Sequence, residues 1–166
     1  MDWIAIGANV GILIGLILVA VQIRQNTKVI RGSSYQMWVA SNMELNAAAT
    51  QTDLSTALSR GWLDSRELSP ETFIQFAQWV LSVMQMAQST NYLYRQGSLD
   101  HNLWETEISR AALFLTAPGV RQWWDAGGRT QLTPEFVTLL ESTTSKATTW
   151  AWTAEEGFVS LEMPGR

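Results

Sequence analysis

Residues 3–23 read WIAIGANVGILIGLILVAVQI. The stretch holds no charge, and Asn9 and Gln22 are its only strongly polar members. At 1.5 Å of rise per residue a helix of this length reaches about 31 Å, which matches a bilayer hydrocarbon core of about 30 Å. A helix that is apolar on every side for this length is rare as the core of a small domain. A transmembrane helix is therefore predicted here. A secretory leader would carry its cations before the apolar run. Here Asp2 precedes it, and Arg24, Lys28 and Arg31 follow it. The positive-inside rule puts that basic flank in the cytoplasm. The expected topology has the N-terminus outside, Trp3 at the outer interface and everything after Arg24 cytoplasmic.

Within the span, Gly7, Gly11 and Gly15 form two overlapping G-x-x-x-G motifs on one helix face, with Asn9 near them. Such a ridge lets a second helix approach closely, so dispersion contacts can hold the pair, and Asn9 can hydrogen-bond across it. Glycine is also common in membrane helices for no special reason. The spacing leaves open whether the partner is a second copy or another protein.

Working outward, the first 31 residues carry +2 and the remaining 135 carry −6, for a net −4. An acidic domain lacks the basic footprint that nucleic-acid binding requires. Cysteine is absent, which excludes disulfides and thiolate metal sites. Residues 1–31 are read as anchor and juxtamembrane segment, 32–147 as one helical domain, and 148–166 as an irregular aromatic tail.

Nothing breaks the first helix before Gly32, so it is expected to leave the membrane and continue to about residue 49, with Gly32-Ser33-Ser34 as the natural kink. Asp53 to Trp62 reads as a short helix with Leu54, Ala57 and Leu58 inward. Ser69-Pro70-Glu71 is a helix start: N-cap serine, proline at the first position, acid in the first turn. The helix over about 70–96 repeats Phe73, Phe76, Ala77, Val80, Met84 and Ala87 at three and four, the spacing of one buried face. Gly97 ends it. A helix over about 100–116 follows, with Leu103, Ile108, Ala111, Ala112 and Leu115 inward. Pro118-Gly119 opens a short helix bearing Trp123 and Trp124, and Thr133-Pro134-Glu135 opens a last one to about Ala147. The fold class is all-α, with about five helices after the anchor. The tail, where Trp150 and Trp152 alternate with Ala151, reads as extended or irregular.

A set of these residues resembles a family of small bacterial proteins with one N-terminal membrane helix and a helical cytoplasmic domain. The set comprises Gln22-Ile23-Arg24-Gln25-Asn26-Thr27, Tyr35-Gln36, Tyr94, Gln96-Gly97, Leu99-Asp100 and Trp104. It continues in Pro118-Gly119 with Arg121 and Trp124, and in Pro134-Glu135-Phe136. The resemblance covers about residues 2–140. It implies a bacterial inner-membrane location and carries no activity. The chain departs from the pattern in its long aromatic tail and its charge-poor central helix.

No catalytic constellation stands out. His101 is the only histidine and cannot build a two-histidine metal site. Beside Asp100 it reads as a surface or capping residue. Glu105 and Glu107 are two apart and point to different faces. No phosphate-binding glycine loop is present. Arg121 is placed to stack on Trp124 or to pair with an acid such as Glu135. No enzyme activity, cofactor or metal is expected.

The central helix carries the most unusual pattern. Between Glu71 and Arg95 it holds no charge. Gln75, Gln78, Ser82, Gln85 and Ser89 recur at three and four and form one uncharged polar stripe opposite the core face. The stripe is too polar for lipid, and a solvated face would ordinarily carry Lys and Glu. Depletion of charge marks interface centres. Together with Trp150 and Trp152 this stripe is the expected partner interface. Two functional readings follow. The first is a non-catalytic accessory or assembly subunit of a larger membrane complex, such as an energy-converting one. The second is a self-associating membrane-tethered regulator or sensor that binds a ligand or a cytoplasmic protein. The lipid bilayer and other transmembrane helices are the expected partners of the anchor.

Overall fold

The computed structural model describes residues 3–145, 149–153 and 157–161, with side chains over 11–145. Among the described residues there are six α-helices: α1 (Trp3–Ala49), α2 (Thr52–Gly61), α3 (Pro70–Arg95), α4 (His101–Phe114), α5 (Pro118–Asp125) and α6 (Pro134–Thr144). Two short 3-10 turns, Ser65–Glu67 and Gly128–Gln131, lie before α3 and α6. The fold is all-helical, with a first long apolar helix and five further α-helices. Two strands follow, β1 (Thr149–Thr153) and β2 (Gly157–Leu161), paired antiparallel with Trp150 opposite Ser160 and Trp152 opposite Phe158. The tail expected to be extended or irregular thus has a two-stranded part.

α1 stays helical through Gly32-Ser33-Ser34. From Gly11 to Ser33 every residue is exposed. This helix is long and apolar enough to cross a membrane. Beyond Ser33 one side of it meets the domain: Ser34 and Asn42 are buried, and Trp38 and Leu45 half-buried.

Local signals set the other boundaries. The Ser69 hydroxyl accepts from the Thr72 amide at 3.3 Å, with Pro70 in the first turn. The Glu71 carboxyl lies below its ordinary value because its own backbone N–H and the Ser69 hydroxyl favour the charged form. Gly97 ends α3 in a left-handed conformation, φ 70°, so that the Ser98 amide returns to the Leu93 carbonyl at 3.0 Å.

α3 is the spine of the domain, packing on α2 and α4, while α4 packs on α6. Phe76, Val80, Met84 and Ala87 of α3 face Ile108, Ala111, Ala112 and Leu115 of α4, with Val120, Trp123, Trp124, Phe136 and Leu140 closing the core. Phe73, Ala77, Leu54 and Leu58 are half-buried at its edge. α5 enters the fold through a contact that only glycine allows. The Gly119 amide donates to the Trp62 carbonyl at 3.0 Å, and a Cβ on Gly119 would sit 1.6 Å from the Gly61 carbonyl oxygen.

Candidate functional site

Two features stand out: a buried polar junction between α1 and α4, and the exposed face of α3. The junction starts from Glu107, which is 1% exposed. Leu103, Glu107 and Ala111 are spaced at four, so helix geometry directs Glu107 inward with the apolar residues. One carboxylate oxygen accepts from the Trp38 indole N–H at 3.2 Å. The other accepts from Arg110, one turn along α4, at 2.6 Å. Arg110 also donates to the Asn42 side-chain oxygen at 2.7 Å, and the Asn42 amide donates back to the Trp38 carbonyl at 3.1 Å. Arg110 Nε is buried and has no hydrogen-bond partner.

Two further bonds tie α1 to the domain. Arg31 donates to the Gly97 carbonyl at 3.2 Å, and the Trp79 indole donates to the Leu45 carbonyl at 3.3 Å. They fix the sense of α3 against α1. The C-terminal end of α3 and the start of α4 lie beside α1 around Arg31, and the start of α3 lies far from there. Lys28, Arg31 and Tyr35 line a groove there with Leu99, Asp100 and Leu103.

The expected stripe of α3 lies on the outside of the molecule. Gln75, Gln78, Gln85 and Ser89 are exposed, and Ser82 is half-buried, with its hydroxyl bonded to the Gln78 carbonyl at 2.9 Å. Ile74 and Tyr92 fall on the same face and are 59% and 62% exposed. Gln85 and Ser89 also line a polar groove with Tyr92, Arg95, Pro134 and Glu135, spanned by an Arg95–Glu135 ion pair.

Gly11 and Gly15 have open space where a Cβ would point. Gly7 and Asn9 belong to α1, but their side-chain surroundings lie outside the described residues, as do those of Trp150 and Trp152. His101 is exposed, stacked on Trp104 and 3.8 Å from Glu105. Arg121 pairs with Asp125 at 3.0 Å rather than with Glu135, because both lie one turn apart on α5. Trp124 gives its indole N–H to Glu141 at 3.1 Å instead of stacking under Arg121. Among the described residues no three His, Asp or Glu side chains are placed to share a metal ion.

The junction is what reading the sequence for motifs passed over. Spacing to Glu105 says of Glu107 only that the two carboxylates point to different faces. Its place on the apolar stripe of α4, one turn before Arg110, was the available signal. Its partner Trp38, and Asn42 that bonds Arg110, are 65 or more residues from it, and no local spacing points to them.

Comparison with protein-family models, with curated proteins and with solved structures gives no match.

Proposed function

We propose that this chain is a single-pass protein of the bacterial inner membrane, with α1 as its anchor and the helical domain in the cytoplasm. In this reading it is a non-catalytic accessory or assembly subunit of a larger membrane complex. The observation that carries this reading is the exposed face of α3. Opposite a largely apolar core face it offers glutamine and serine, with Ile74 and Tyr92 uncovered among them and no charge between Glu71 and Arg95. A face kept in water has no need to exclude charge. A face that is desolvated on binding does, because each unpaired charge would be buried without a counter-ion. The basic flank of the apolar segment supports the cytoplasmic placement, and the family resemblance supports the inner membrane. The polar junction supports a rigid assembly part, since it fixes the angle at which α1 presents this face below the membrane.

Substituting Gln78→Glu and Gln85→Glu together tests it. Partners that co-purify with the tagged full chain in mild detergent should be lost, while helical content stays unchanged, because Phe76, Val80 and Met84 on the opposite face are untouched. Undiminished co-purification would remove the support for the accessory role.

A further inference from the structure

The domain covers only one side of α1, and the other side has a pattern of its own. Ser34, Trp38, Asn42 and Leu45 face the domain. At 100° per residue the opposite line passes through Gln25, Val29, Ser33, Gln36, Ala40 and Met43, and ends at Ala47. Every one of these is exposed, Val29 by 70% and Met43 by 67%. Traced the other way, the same line runs through Gln22 and Leu18 into Gly15, Gly11 and Gly7. The steps along it are threes and fours and average about 3.6 residues, the period of a straight helix, so the line does not wind off the face.

No charge lies on this line. Arg24, Lys28 and Arg31 all lie in the half of the helix turned toward the domain, and Glu44 lies about 60° off the line. We propose that this face pairs with the same face of a second copy, as a parallel two-helix seam that starts at the glycines in the membrane and continues about three heptads below it.

The occupant follows from symmetry and charge. Two copies inserted in one membrane share direction and depth, so a two-fold seam brings each residue level with itself. A charge in such a seam would meet its own sign. Glutamine and serine both donate and accept, so each can hydrogen-bond to its own copy. Glycine and alanine let the backbones approach, and Val29 and Met43 supply the apolar contact that their exposure now lacks. At 1.5 Å per residue the stretch below the membrane extends the seam by about 36 Å, more than six helical turns. The domains sit on the outer flanks of the pair, and the exposed face of α3 stays free. The seam rests on the membrane reading of α1 and not on the accessory role.

The chain has no cysteine, so single introduced thiols report pairing directly. Val29→Cys, Gln36→Cys and Met43→Cys should form disulfide-linked dimers in isolated membranes under mild oxidation, since seam positions come within disulfide reach. Tyr35→Cys and Met37→Cys, exposed by 53% and 64% but off the line, should do so severalfold less. Adding Ala40→Glu to Met43→Cys should cut its dimer severalfold. Equal crosslinking at all five positions, crosslinking at none, or a Met43→Cys dimer indifferent to Ala40→Glu would each overturn the seam. Alkaline extraction of the same membranes separates failure of the anchor from failure of the seam. Protein that leaves the membrane refutes the anchor, and retained protein without dimers refutes the pairing alone.

Discussion

The molecule has two interiors built on different chemistry. Between α3, α4, α5 and α6 the interior is apolar, with Phe76, Met84, Trp124 and Phe136 fully buried and polar bonds such as Trp124–Glu141 and Arg95–Glu135 at its edge. Between α1 and the domain the contacts are directional: Trp38 on Glu107, Arg110 on Asn42, Arg31 on Gly97, Trp79 on Leu45, with Glu107 and Arg110 paired within α4. Apolar burial is strong and tolerant of angle. A buried ion pair adds little net stability, because desolvation cancels most of its attraction, but it accepts few geometries. The difference teaches what each interior does. The core holds the domain together, and the junction sets the rotation of α1 against it.

Removing apolar mass from the core should have the largest effect. Phe136→Ala is expected to cost about 3–5 kcal/mol, since the residue is fully buried and leaves a cavity. Denaturant unfolding followed by tryptophan fluorescence in detergent checks it. A loss under about 1 kcal/mol would mean that the core at α6 is loosely packed.

The junction should respond differently, and this sharpens the contrast. Arg110→Met alone strands the Glu107 carboxylate and is expected to cost about 3 kcal/mol. Adding Glu107→Leu should recover about 1 kcal/mol of that, leaving about 1 kcal/mol each for the Trp38 indole and Asn42 side-chain oxygen that lose partners. A double variant no more stable than the single one would make the junction a stability element like the core, and the contrast would fail.

The smallest effect is at the surface. Hydrogen bonds from the Arg66 side chain and backbone hold the Asp64 carboxyl below its ordinary value. A depressed folded-state pKa stabilises the fold above the unfolded value of about 4, and the contribution is lost as pH falls through the folded value. Asp64→Asn should therefore lower the melting temperature slightly at neutral pH, and the gap to the native chain should close on acidification. A gap that widened in acid would reverse the assignment.

Much of the fold was legible from short-range patterns. The Ser69-Pro70-Glu71 and Thr133-Pro134-Glu135 starts, the glycine stop at Gly97 and the three-four spacing of Phe76, Val80, Met84 and Ala87 each act within a few residues. The structure places them as the spacing predicts. The uncharged stripe of α3 was legible for the same reason, since one helix face is defined by one helix alone. Less legible was the unbroken course of α1 through Gly32-Ser33-Ser34. Helix-weakening residues there do not end the helix, which is held by contacts from Arg31 and Ser34 onward against the domain, and tertiary packing overrides local propensity.

Composition and spacing alone determined that this chain is helical, that one helix is apolar enough for a membrane, and which faces of α3 and α4 are buried, because backbone hydrogen bonding and burial periodicity are local. Three things waited for the tertiary structure. Glu107 is a junction residue and not a surface acid. Gly119 is obligatory because the Gly61 carbonyl lies against it. The line from Gly15 to Ala47 lies opposite the domain. Each depends on which side of one helix another helix covers, and that is fixed by contacts between residues tens of positions apart, whose pairing no local spacing encodes.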